Sequence, residues 1–269
     1  MIPATLWNYR AVIHHLTQRE LKLRYKRSVL GWLWSLINPA ANLLVYTLVF
    51  GTFLRIIPPV AGNGRLQSFA IYLFAGLVIR DFFSAVLTGS MGWLLSSGPL
   101  LNKIYFPPEA PVFAGALSVL VQTATEAGIL VAVLAIVDNL SVSALFLPLV
   151  MTLLFLFALG LGLMASLANV YFRDITHIVS IGTTMLFYAT PIVYPLELVP
   201  EKVGPGVPIR EIIRLNPVTQ FVGMARDILY HLRIPSLSRL GLLVAVSVLT
   251  FVMGLLVFRR YGAHLSEDL

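Results

Sequence analysis

Cysteine is absent from the sequence, which excludes disulfides and thiolate metal sites and leaves the redox compartment open. Charge is scarce: 12% of residues are charged against 58% hydrophobic. A chain of that balance is not a soluble domain, because lipid is the solvent its apolar surface requires. The phosphate-cradling Gly-x-x-x-x-Gly-Lys-Ser/Thr is missing, and no Gly-Lys dipeptide occurs anywhere. Nucleotide binding by that route is therefore excluded. No aspartates are paired at a spacing that would chelate Mg²⁺, as a membrane prenyl or glycosyl transferase would need. His14, His15, His177, His231 and His264 are scattered, without zinc spacing. Catalysis by this chain alone and a metal site are both unexpected. The formal charge of +7 does not point to nucleic acid, since the cations gather at the ends of apolar runs and so speak of membrane orientation.

What is present begins with Arg19 to Pro39, RELKLRYKRSVLGWLWSLINP. Arg19, Lys22, Arg24, Lys26 and Arg27 form a basic collar, two indoles follow at Trp32 and Trp34, and no charge returns before Arg55. That order suits a segment lying along an anionic leaflet and then entering the bilayer, with its starting side cytoplasmic. Thr5 to Leu30 reads as an amphipathic interfacial helix, with Leu6, Tyr9, Ile13, Leu16, Leu23 and Leu30 on one stripe. Gly31 ends it and lets the chain turn. Residues 1–31 are thus an interfacial element and 32–269 a membrane domain. No apolar leader precedes Arg10, so insertion is expected to begin with a retained span.

The expected fold is an all-α integral membrane protein with six transmembrane helices. The spans run over Trp32 to Ile57, Ser68 to Leu95, Ala110 to Val137, one within 139–172, one within 175–196, and Leu240 to Phe258. Asn38-Pro39 should kink the first. Arg259-Arg260 closes the last on the inside, so both termini are expected in the cytoplasm. Between spans five and six, about 196–238, the prolines and glycines punctuate two pieces too short or too charged to cross: Ile209 to Leu215 and Val218 to Leu232. Ala158, Gly162 and Ser166 give the fourth span a small-residue stripe for close helix packing.

Several stretches together resemble the permease subunits of ABC exporters for polysaccharide and polyol phosphate, the O-antigen, teichoic acid and galactan type. They are the N-terminal RELKLRYKRSVLGWLWSLINP, PLLNKIYFPPEAPVFA at Pro99 to Ala114, YFRDITHIV at Tyr171 to Val179, YATPIVYP at Tyr188 to Pro195, and LNPVTQFVGMARD at Leu215 to Asp227. The resemblance covers essentially the whole chain in order. It implies a homodimer in the bacterial cytoplasmic membrane, with two copies of a separate ATPase that holds the ATP and Mg²⁺. It implies a lipid-linked polysaccharide as cargo, a channel at the dimer interface, and re-entrant helices at the outer mouth. An ABC drug or lipid exporter and a polyprenyl-linked sugar transferase are the alternatives.

The resemblance also assigns roles. The inside element Leu100 to Phe106, with Leu100, Leu101, Lys103, Ile104, Tyr105 and Phe106, becomes the piece that couples to the ATPase. The basic residues Arg19, Lys22, Arg24, Lys26 and Arg27 are placed to meet membrane lipid and the pyrophosphate of an incoming lipid-linked glycan. A glycan conduit needs aromatic faces, for which Tyr46, Tyr72, Tyr188 and Tyr194 are candidates. Arg80, Asp81 and Glu126 stand inside apolar spans, where a lone charge costs roughly 2.5–3.5 kcal/mol. Counting inward from the outer ends, Arg80 lies about 18 Å deep and Glu126 about 16 Å, so an ion pair between them is expected.

Overall fold

The computed structural model describes residues 9–24, 26, 28–101, 103, 106–202 and 206–262. Among these the architecture is helical. Helix α1 is Arg10–Arg24, α2 is Trp34–Tyr46 continued by π-helical turns over Thr47–Phe53, α3 is Phe69–Ser96, and α4 is the single turn Gly98–Leu101. Then come α5 (Ala110–Ile136), α6 (Leu147–Tyr171), α7 (Ile175–Ala189), α8 (Ile209–Leu215), α9 (Pro217–Leu229) and α10 (Leu237–Tyr261). Five helical stretches are long and apolar enough to cross a membrane: α2 with its extension, α3, α5, α6 with its lead-in, and α10.

The fifth expected span is shorter than the sequence suggested. Helix α7 stops at Ala189 because Thr190 precedes Pro191 and is pushed out of helical geometry. Its length is about 22 Å, against roughly 30 Å of hydrocarbon. The chain continues as buried non-helical backbone through Thr190, Ile192 and Val193. Such backbone is tolerated at membrane depth only where protein covers it.

Helix α3 is the centre. Over half of its most apolar stretch is buried within the chain, whereas none of the corresponding stretch of α2 is. Phe82, Ile79 and Leu73 of α3 and Leu154, Leu159 and Leu163 of α6 are all but fully buried. Two glycines bring α6 and α10 together: a Cβ on Gly254 would stand 2.2 Å from the Gly160 carbonyl oxygen. Without such small residues those backbones could not meet. The expected stripe also packs: a Cβ on Gly162 would clash with Ser90 of α3, and Ala158 and Ser166 are fully buried.

One end of the bundle carries α1, α4 and the last turn of α10. There Tyr9 and, on α1, Val12, Ile13 and Leu16 pack against Phe106, Ala110 and Ala114, while Leu23 and Leu30 remain exposed. The opposite, distal end carries the turn at Asp138 and both short helices α8 and α9. Asn139 is fully buried there and donates to the carbonyls of Leu229 and Tyr230 at 3.0 and 3.2 Å. These bonds satisfy carbonyls at the end of α9, which a helix terminus otherwise leaves unpaired.

Candidate functional site

Three of the four aromatic candidates meet around one residue that the sequence did not single out. Phe187 of α7 stacks with Tyr46 at 5.8 Å and meets Tyr188 edge-on at 5.1 Å. The guanidinium of Arg80 lies over the Phe187 ring at 4.8 Å, and the Tyr194 hydroxyl donates to the Tyr188 carbonyl at 2.7 Å. Helices α2, α3 and α7 are thereby held together through aromatic faces. Tyr188 itself is 65% exposed. With His177, Ser180 and Thr184 it forms a polar line at three- and four-residue spacing, all of it exposed. An ionisable residue such as His177 on a membrane helix faces water or protein rather than lipid.

Tyr72 belongs elsewhere. It is buried beside Arg226 of α9, whose guanidinium carbon is 3.7 Å from its ring centroid. Arg226 donates through Nε to the Tyr72 carbonyl at 3.2 Å, through Nη1 to the Tyr72 hydroxyl at 3.1 Å and the Pro191 carbonyl at 2.6 Å, and through Nη2 to the Ile192 carbonyl. Gly76 on α3 makes the approach possible, since a Cβ there would stand 2.9 Å from Nη2. The TPIVYP segment is therefore fixed to α3 and α9 by one cation, a role its sequence did not announce.

The expected Arg80–Glu126 pair is not formed. Arg80 Nη1 binds its own neighbour, Asp81 Oδ1, at 2.8 Å, because a long arginine folds back across the angle separating adjacent helical positions. Glu126 instead accepts from Gln122 Nε2 at 3.1 Å, one turn back on α5. Gln122 Oε1 in turn accepts from Arg24 Nη1. Arg24 and Glu126, expected in separate roles, are linked through this amide. Glu126 also borders an apolar cavity of about 440 Å³ walled by Leu36, Leu43, Phe74 and Leu130. Arg19, Lys22 and Lys26 are exposed; Arg27 lies outside the described residues.

The inside element also differs from expectation. Among its described residues the helical turn is Gly98–Leu101, which starts before Leu100. Proline is accommodated in a first turn, which favours a start around Pro99. Phe106 precedes Pro107 and is biased away from helix. Phe106 does not face outward for a partner; it is buried against Leu16 and Ala110. Leu100 and Leu101 are half-buried and Lys103 is exposed; Ile104 and Tyr105 lie outside the described residues. Just beyond, Glu109 is buried and accepts from Arg259 Nε and Nη2 at 3.2 and 3.1 Å. This clamp ties the inside element to the end of α10.

Residues 11–230, from α1 to just past α9, match the family described as ABC-2 type transporter. The chain belongs to that family. Its curated relatives include the O-antigen export system permease protein RfbA of Myxococcus xanthus, 28% identical over 98% of this chain and 97% of that protein. The protein of the same name from Klebsiella pneumoniae is 25% identical over 94% and 93%. The polysialic acid transport protein KpsM of Escherichia coli is 24% identical over 93% of each. The line of His177, Ser180, Thr184 and Tyr188 on α7 lies beside Tyr46 and Phe187. The α4 turn lies at the end of the bundle where α10 finishes.

Proposed function

We propose that this chain is the membrane subunit of an ABC exporter that moves a lipid-linked polysaccharide across the bacterial cytoplasmic membrane. The observation that carries the reading is the exposed polar and aromatic line on α7, set on a chain that aligns nearly end to end with permeases named for O-antigen and polysialic acid. Sugar hydroxyls need wet donors and acceptors, which Ser180 and Thr184 offer, and sugar C–H faces need rings, which Tyr188 and Tyr46 offer. An exporter of apolar drugs would have no use for that line.

In this reading two copies join through α2 and α7, both of them little covered by their own chain, and the paired faces bound the conduit. ATP and Mg²⁺ act in a separate ATPase, two copies of which dock at the α4 end through Leu100, Leu101 and Lys103. Both termini are cytoplasmic. The basic face of α1 attracts anionic headgroups, each cation contributing about 1 kcal/mol near such a surface. The chain itself supplies a path rather than a reaction.

The test is depletion of this protein in its host. Surface polysaccharide should disappear while lipid-linked polymer accumulates inside, and both should recover with the intact chain. Normal surface polysaccharide after depletion overturns the proposal.

A further inference from the structure

A second polar site lies at the distal end, away from the α7 line. A cavity of about 370 Å³ opens between α9, the start of α10 and the chain after α7. It is within the range of pockets that hold small ligands, about 300–1,000 Å³. Thr219, Gln220, Asp227, Arg239, Glu197 and Arg214 supply its polar wall, and Pro191, Leu196 and Val222 its apolar one.

The hydrogen bonds already made in this wall decide what it can receive. Each nitrogen of Arg239 already has a partner: Nε donates to Gln220 Oε1 at 2.8 Å, Nη1 to Asp227 Oδ2 at 2.6 Å, and Nη2 to the Gln220 carbonyl at 3.1 Å. Gln220 Nε2 donates to the Arg214 carbonyl. Arg226 is consumed by Tyr72, Pro191 and Ile192. Arg214 pairs with Glu211 at 2.9 Å. Each guanidinium is thus engaged by carboxylates or carbonyls, and Glu197, Glu211 and Asp227 match Arg214, Arg226 and Arg239 in charge, so no excess positive charge surrounds the space.

What is left over is a mixture. Thr219 is 94% buried, and its hydroxyl has no hydrogen-bond partner although it borders the cavity. A buried hydroxyl without a partner costs about 1–3 kcal/mol, a cost that a ligand hydroxyl reaching it would remove. Asp227 keeps one carboxylate oxygen outside its ion pair, and Glu197 is exposed at the rim. His231 adds a ring whose basicity burial lowers, opposed by the nearby Asp227 carboxylate. Its neutral form both donates and accepts.

A ligand that donates and accepts at every polar atom, carries no charge and has an apolar face satisfies this set. We propose that the pocket binds a neutral sugar unit of the glycan at the distal mouth, with Thr219 and Asp227 holding hydroxyls and Val222 and Leu196 beneath the ring. The proposal rests on the polysaccharide reading and adds to it a holding site outside the α7 line. A segment bound there as it emerges would be hindered from sliding back between strokes.

The test uses the full chain with its ATPase in nanodiscs and free monosaccharides as probes: glucose, galactose, mannose, rhamnose and N-acetylglucosamine. Saturation-transfer difference NMR should detect at least one of them. Thr219→Val, which removes the hydroxyl at nearly constant volume, should weaken that binding about three- to tenfold, the range of one hydrogen bond. Glu197→Gln should weaken it less, and neither variant should lower the unfolding temperature. Binding unaffected by Thr219→Val, no binding by any sugar, or displacement of the sugar by inorganic phosphate would overturn the proposal. Surface glycan is measured in the same strains. Surface display that depends on this protein, combined with failed sugar binding, sinks the pocket alone; display that does not depend on it sinks the export reading.

Discussion

The guanidinium carbon of Arg226 stands 3.7 Å from the centre of the Tyr72 ring, and the same side chain holds the carbonyls of Tyr72, Pro191 and Ile192. One cation so joins α3, α9 and the broken end of α7, with no carboxylate within ion-pair distance. A desolvated cation–π contact is worth about 2 kcal/mol, and a hydrogen bond to a charged group about 1.5–3 kcal/mol. Arg226→Leu strands three buried carbonyls and should cost about 3 kcal/mol or more. Arg226→Lys should recover only part, since an ammonium lacks the planar fork that reaches all three. Tyr72→Phe should cost about 1 kcal/mol. Thermal unfolding of the purified protein checks the order wild type, Tyr72→Phe, Arg226→Lys, Arg226→Leu.

At the other end the Glu109–Arg259 clamp is expected to transmit force between the inside element and α10. Glu109 is 4% exposed, whereas the Arg259 side chain is 29% exposed. Removing the arginine leaves a buried carboxylate without its partner; removing the carboxylate frees a cation that can reach water. Arg259→Ala should therefore destabilise by roughly 1–3 kcal/mol and Glu109→Ala by less. The double variant should lose less than the two single losses added together. ATPase activity stimulated by substrate should fall further than basal activity in Arg259→Ala. Equal falls would show that the clamp only holds the fold.

Five long helices were legible as apolar runs with length enough to cross, and Ile209–Leu215 and Pro217–Leu229 as pieces too short to do so. Partner choice was not. Depth counting placed Arg80 and Glu126 level, yet a helix pair has many level positions, and only the rotation of α3 and α5 decides which face each other. Phe187 and Gln122 were invisible for another reason. A phenylalanine in an apolar span looks like lipid-facing bulk, and a glutamine carries no charge to attract notice. Gln122 did have a signal, since it sits one turn before Glu126 at hydrogen-bonding spacing. Arg226 was hidden by its setting, an amphipathic helix in which an arginine reads as solvent-facing.

The separate partners of Arg80 and Glu126 give a sharp expectation for their energetics. With Arg80 on Asp81 and Glu126 on Gln122, stability losses in Arg80→Leu and Glu126→Leu should add in the double variant to within about 0.3–0.5 kcal/mol. Arg80→Leu combined with Asp81→Leu should instead show coupling of about 0.5 kcal/mol or more, because the two share one ion pair. Coupling between Arg80 and Glu126 of that size would mean that the two meet in the working protein.

The absence of cysteine makes the last expectation directly measurable, since any thiol introduced is the only one present. If the polar line on α7 bounds a water-filled conduit, Ser180→Cys, Thr184→Cys and Tyr188→Cys should react with a membrane-impermeant thiol reagent. Leu249 on α10 is a matched reference, being 61% exposed on an apolar helix face that would meet lipid. A thiol in lipid stays protonated and unreactive, whereas one in water forms thiolate. Labelling on α7 should therefore run roughly tenfold or more faster than at Leu249→Cys, and should slow when polysaccharide occupies the path. Oxidative cross-linking of Thr184→Cys into dimers would further place two α7 helices against each other. Uniformly slow labelling at all three positions, with Leu249→Cys no slower, would turn this face toward lipid and remove it from the transport path.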